Sequence, residues 1–243
     1  MKSIEIVTHC WRYWRCLTYQ VSALYLHPPG ETLDVILHVL LSDEDAPTSN
    51  RTEQLMQIDW PNNVRLKVTH LPKEQLFRRS IGRNLVALQT RADIVWFTDC
   101  DYLIHGTSLY DVFHQMGQAD IRFIYPGQIM GTTHEVGDQI IQQATDWTGP
   151  IKADRSLITE VLPMNRAIGG IQIVDGDLCR EYGYLKDSKK AQCPADRWQR
   201  CFEDVSFRKM LGVHGIKAEA VSIRDVLRLQ HSVAGRHDPE LVL

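Results

Sequence analysis

The sequence has no window approaching the ~20 consecutive apolar residues of a membrane-spanning helix. Its opening, Met1-Lys2-Ser3-Ile4-Glu5-Ile6-Val7, turns polar too soon to hold the ~7–15-residue apolar core of a signal peptide. Cysteine is sparse: the six residues at positions 10, 16, 100, 179, 193 and 201 include no Cys-x-x-Cys pair. Neither a zinc cluster nor a disulfide framework is indicated, and a reduced, cytoplasmic setting is expected. There is no internal repeat and no low-complexity linker. A net charge of only −3 gives no reason to expect a nucleic-acid or anionic-membrane partner.

What is present is enough for one full core: 243 residues, 44% hydrophobic and 23% charged. Apolar stretches at 4–7, 35–41, 64–68 and 94–98 read as strands, the second and last almost continuously apolar, as strands covered on both faces are. Between them, Trp14, Leu17, Val21 and Leu24 recur at helical spacing until His27-Pro28-Pro29-Gly30 stops the run. A polar helix is expected over about 50–58, closed by Pro61, and another from about 78 with Ile81, Leu85 and Leu88 on its buried face. Alternating strands and helices predict a doubly wound, mostly parallel α/β sheet.

Beyond the fourth strand, Thr107 is expected to cap a helix that turns Leu109, Val112, Phe113 and Met116 inward. Residues 120–125 alternate as a strand. Val136, Ile140, Ile141, Ala144 and Trp147 predict one helix before Gly149-Pro150. A strand over 168–174 is entered through Gly169-Gly170, a helix spans 197–211 around Phe202-Glu203-Asp204, and a strand lies near 218–223. His231 falls in the tail.

The chemistry concentrates at Asp99-Cys100-Asp101, where the apolar strand 94–98 runs out of core, the position at which open α/β sheets bind ligands. Residues two apart on an extended chain share a side, so Asp99 and Asp101 are placed to face one divalent cation or one phosphate-bearing ligand, which would relieve their repulsion. Taken alone, the pair also fits a solvated acidic turn. Its companions in order are Thr8 ending the first strand, Ser42-Asp43 ending the second, Arg83-Asn84 in a helix, then Gly169-Gly170, Glu203-Asp204 and His231.

This ordered set resembles the GT-A nucleotide-sugar glycosyltransferases, the family 2 members in particular, over about 4–231. It departs at Ser42-Asp43-Glu44-Asp45, where the family has Asp-Asp-Gly-Ser, and at His9-Cys10-Trp11 after the first strand. The resemblance implies a single GT-A (Rossmann-like) domain over 1–243, with a small antiparallel part near the acceptor side. About 1–105 would form the nucleotide-sugar half and about 106–243 the acceptor and catalytic half, with acceptor contacts in 127–163 and the tail.

By that resemblance, Thr8 and Asp43 contact the nucleobase or ribose, Arg83 the diphosphate or sugar, and Asp99 the ribose or sugar. Asp101 and His231 hold Mn2+ (or Mg2+), with Ser232 to Arg236 folding over a phosphate. Gly169 and Gly170 let the sugar or acceptor approach closely, and Asp204, with Glu203 beside it, is the general base of an inverting transfer. The expected partners are a nucleotide-sugar donor, UDP-sugar first, and a hydroxyl-bearing saccharide or glycoconjugate acceptor. Asp43 serves equally as a turn former, Gly169-Gly170 as a β-bulge, and Arg83 as a surface helix arginine. Two other readings stand beside this one: a haloacid dehalogenase-like phosphatase using Asp99 and Asp101, and a non-catalytic carbohydrate-binding relative.

Overall fold

A computed structural model describes residues 2–118, 120–198 and 201–232. The first half alternates as the sequence predicts, with one added short helix, α3: β1 (Lys2–His9), α1 (Trp14–Leu26), β2 (Leu33–Leu41), α2 (Ala46–Met56), β3 (Val64–His70), α3 (Lys73–Leu76), α4 (Arg79–Gln89) and β4 (Ile94–Asp99). Strands β1, β2, β3 and β4 are parallel, and β1 sits between β2 and β4. Their carboxyl ends therefore meet at one edge, with His9 level with Asp99 and Thr8 level with Thr98.

The second half is less regular. It comprises β5 (Tyr102–Ile104), α5 (Gly106–Met116), β6 (Phe123–Pro126), β7 (Gln128–Gly131), α6 (His134–Gln142), β8 (Glu160–Pro163), β9 (Ile171–Asp175), α7 (Gly176–Tyr182), α8 (Glu203–Val213), β10 (Glu219–Val221) and β11 (Val226–Arg228). Strand β9 inserts antiparallel between β4 and β6, completing a seven-stranded sheet ordered β10-β6-β9-β4-β1-β2-β3. A second sheet, β5-β11-β7-β8, carries the chain away from the two acids and brings the tail back to them. No helix among the described residues is long and apolar enough to cross a membrane.

Several sequence expectations need correction. The second helix starts four residues early because Asp45 caps it, accepting from the Thr48 amide, and Pro47 suits its first turn. In α4 the buried face is Ser80, Arg83, Val86 and Ala87; Leu88 is exposed and Ile81 and Leu85 are only half-buried. A charged residue at the centre of the buried stripe misleads a hydrophobicity count. Thr107 lies inside α5, whose N-cap is His105, and its hydroxyl donates to Asp225 instead. The expected strand at 120–125 begins only at Phe123, after Asp120 adopts a left-handed backbone. Helix α6 ends before Ala144 and Trp147, α8 begins at Glu203, and 168–170 precede β9 as a turn. Strands β5, β7, β8 and β11 and helices α3 and α7 were not foreseen.

Candidate functional site

The acid loop between β4 and β5 is pinned from several sides. The Gln20 amide on α1 donates to the carbonyls of Asp99 (2.9 Å) and Tyr102 (3.0 Å), and the Leu229 amide, just past β11, donates to the Asp101 carbonyl (2.9 Å). Cys100 points into the core. Asp99 and Asp101 then enter different surroundings.

Asp99 turns toward α4. Arg79 Nη1 lies 2.8 Å from Asp99 Oδ1, and its Nε donates to Glu203 Oε1 at 2.9 Å, so one guanidinium bridges the acid loop to the first turn of α8. Arg83, one helical turn on, is fully buried. It donates to the Gly169 carbonyl (2.6 Å) and the Tyr184 hydroxyl (3.0 Å), reaches Asp99 Oδ1 at 3.5 Å, and lies over the Phe97 and Tyr184 rings. Arg83 is thus no surface arginine: it offers no exposed face to a donor and holds Asp99 from beneath. Arg79, which the sequence reading passed over, is the guanidinium at the site's surface. Its signal was there, since positions i and i+4 on one helix share a face.

The Glu-Asp pair divides its labour. Glu203 is buried against Arg79; burial alone would raise its carboxyl, but Arg79, the helix amides and Arg83 outweigh that and hold it below the ordinary range. Asp204 is half-buried, and among the described residues its carboxylate accepts no hydrogen bond. A Cβ on Gly169 would stand 3.6 Å from Arg79, 3.7 Å from the Asp204 Cβ and 3.9 Å from Arg83, so Gly169 lies between the two arginines and the start of α8. Gly170 has a different cause: a Cβ there would come within 2.5 Å of the Tyr102 ring, so its absence allows packing between β9 and β5.

Asp101 turns toward β11. It is buried, with Oδ2 accepting from Arg228 Nε at 3.0 Å, and Arg228 lies over the Tyr102 ring. Burial pushes its carboxyl above the ordinary range; Arg228 and His231 pull it back while Asp99 and Cys100 add to the rise. His231 is half-buried, its ring 5.3 Å from that of Tyr13, two residues beyond the Leu229 amide that grips the acid loop. Thr8 is buried at the end of β1 with no partner for its hydroxyl among the described residues. Asp43 is exposed and pairs with His70 at the end of β3; Asp45 is the buried acid of that loop. Residues 233–236, expected to fold over a phosphate, lie outside the described residues.

No three His, Cys, Asp or Glu side chains among the described residues form a ready metal cage. Among the described residues Asp101 nevertheless keeps Oδ1 without a donor, and His231 lies close enough to favour the charged form of Asp101. A divalent cation fits this donor set as one completed by ligand oxygens. One carboxylate oxygen and one imidazole suit manganese better than magnesium.

No protein-family model matches the sequence, and neither does any curated protein. Solved structures do match. Over 95% of this chain and 58% of the other, it superposes on the mannosyltransferase PcManGT from Pyrobaculum calidifontis, in complex with GDP-Man and Mn2+, with a TM-score of 0.57 at 12% identity. The fold is GT-A. Weaker matches are S. aureus TarS in complex with UDP-GlcNAc (TM-score 0.47, 16% identity, 79% of this chain and 51% of that one) and glucosyl-3-phosphoglycerate synthase from M. tuberculosis with phosphoglyceric acid (0.47, 14%, 91% and 71%). The chain spans only 58% of the mannosyltransferase's length. In this GT-A frame the two acids, the Gly-Gly turn and the Glu-Asp helix start all gather at the end of β4.

Proposed function

We propose that the chain is a glycosyltransferase that moves a hexose from a nucleotide diphosphate sugar to a hydroxyl acceptor, with inversion at the anomeric carbon. The observation that carries this reading is the convergence at Gly169 of the two arginines that hold Asp99 and of Asp204, whose Cβ lies beside them and whose carboxylate accepts no hydrogen bond among the described residues. A transfer of this kind needs stabilisation of negative charge on a departing diphosphate and removal of a proton from the acceptor. Arg79, paired with both Asp99 and Glu203, fixes the acid loop to the start of α8, and Arg83 supports that geometry from below. Asp204 accepts the acceptor's proton while its oxygen attacks from the face opposite the diphosphate. Glu203, tied to Arg79, keeps Asp204 in register rather than acting itself.

Asp101 and His231 are the residues that would hold Mn2+ (or Mg2+), which when bound acts as a Lewis acid for the leaving diphosphate. Thr8 and the loop of Asp43 are assigned to the nucleobase and ribose, with uridine the first donor to test. The GT-A frame does not favour a haloacid dehalogenase-like phosphatase. A purely carbohydrate-binding module would use the Asp204 carboxylate only to accept from a sugar hydroxyl, and it would show no turnover of the donor. Incubation with a panel of UDP- and GDP-sugars should show Mn2+-stimulated release of the nucleotide diphosphate from at least one donor. No turnover or binding of any donor, with either metal, would refute the proposal.

A further inference from the structure

A cavity lies behind the small sheet. Strands β5 and β11 present alternate side chains to opposite faces: Tyr102 and Arg228 face the acid loop, while their neighbours Leu103 and Leu227, paired across the strands, line a cavity of about 140 Å3 against α1 and residues 151–155. Its walls are mostly aliphatic, but four basic side chains also line it: His27, His105, Lys152 and Arg155. A dry cavity of ~150 Å3 is large enough for a benzene-sized body.

The basic end is unusual in what it leaves unpaired. His105 is only 9% exposed, yet neither its ring nor that of His27, 4.3 Å away, makes a hydrogen bond among the described residues. Buried polar side chains nearly always find a partner, so the buried His105, unpartnered where it lines a cavity, points to a ligand, with the half-buried His27 beside it. His105 is also the N-cap of the eleven-residue α5, and its side chain makes no cap bond; the amide end of a helix favours an anion. The ionisable groups around it are largely cationic. Arg155 is paired with Asp225, Thr107 donates to Asp225 as well, Tyr19 donates to the Ile140 carbonyl, and Lys152, near the exposed Asp154, has no acid within ion-pair distance among the described residues. Burial first, then His27, Arg155 and Lys152, push the His105 imidazole down to about 4, opposed only by Asp225.

We propose that this cavity binds a small monocarboxylate with an apolar body about the size of one six-membered ring, its carboxylate held by His105 and His27 and its body against Leu103 and Leu227. The site lies on the opposite face of β5–β11 from the acid loop and rests on no part of the glycosyltransferase reading. An entering carboxylate replaces a repelling environment by an attracting one, so His105 takes up a proton on binding.

Calorimetry of the full chain with benzoate tests this, run at about pH 6.5 in two buffers of different ionisation enthalpy, with benzyl alcohol and inorganic phosphate as comparators. Benzoate should bind with net proton uptake, and both comparators should bind at least about tenfold more weakly, as loss of a charge-assisted hydrogen bond or of the apolar contact implies. His105→Phe, which keeps a ring in place, should abolish the proton uptake. Exposed Lys152→Met, which does not threaten folding, should weaken benzoate without removing the uptake. Absence of benzoate binding, equal affinity for benzyl alcohol or phosphate, or binding and proton uptake unchanged in both variants would overturn the proposal.

Discussion

Asp99 and Asp101 stand two residues apart on one loop and live in opposite electrostatic worlds. Asp99 belongs to a closed set, two arginines against two carboxylates, in which Arg79 bridges Asp99 to Glu203 and Arg83 supports Asp99 from the core. Asp101 is buried with a single arginine, and its carboxyl is pushed upward. The Asp99 side is finished before any ligand arrives and serves as a frame, fixing the acid loop to the start of α8 and so fixing Asp204. The Asp101 side is unfinished, with a carboxylate oxygen to spare, and is where further positive charge is stabilising. One short motif thus holds one carboxylate in an ion-pair frame and, on the proposed reading, offers the other to a cation, because its two carboxylates are served by different parts of the chain.

The largest expected effect comes from Asp204, which the finished side positions without consuming. Asp204→Asn should lower the transfer rate by roughly 10²–10⁴-fold, the usual worth of a positioned base, with donor affinity kept; steady-state kinetics alongside calorimetry separates the two. Next, Asp101→Asn should remove the metal-dependent part of nucleotide diphosphate affinity by more than about 10–100-fold, since even residues behind the ligands contribute that much in metal sites. The equivalent Asp99→Asn should affect affinity less and stability more, and titration calorimetry with thermal melts would show the reversal.

Arg79→Met breaks the frame itself, leaving Asp99 and Glu203 without their shared partner. Its cost should approach but not exceed the ~3–5 kcal/mol of a broken buried pair, because Asp99 is partly exposed; urea unfolding measures it. The smallest effect is on pH dependence. The Glu203 carboxyl lies below its usual range in the folded chain, so its contribution to stability is present above the ordinary glutamate pKa and is lost as pH falls through the depressed folded value. Glu203→Gln should therefore flatten the acid limb of the stability profile below about pH 4.5 and leave the neutral-to-basic limb unchanged in shape.

The parallel half of the sheet was legible because its strands are continuous apolar runs and each reaches the same edge. Asp99 and Asp101 stood out because acids end the apolar run 94–98, whereas Asp204 was singled out only through the resemblance; the structure places all three near the end of β4, and their roles are proposals. The arginine frame was not. Arg83 reads as a polar residue on a helix surface until the packing of Phe97 and Tyr184 around it is seen, and Arg79 gains its meaning only from Glu203, 124 positions away. The Gly169-Gly170 pair read as a single feature, yet Gly170 answers to the Tyr102 ring and Gly169 to the charged site. The three-residue strand β11 and the four-residue strands β7 and β8 are too short for periodicity to register, although β11 carries Arg228 and leads to His231.

The most direct test of the account is isothermal titration of the chain with UDP and with GDP, each with and without Mn2+, repeated on Asp101→Asn. At least one nucleotide diphosphate should bind the unaltered chain more tightly with Mn2+ present, and that gain should vanish in the variant while weaker metal-free binding remains. Nucleotide affinity that is absent under every condition, or a Mn2+ gain that survives the substitution, would contradict it.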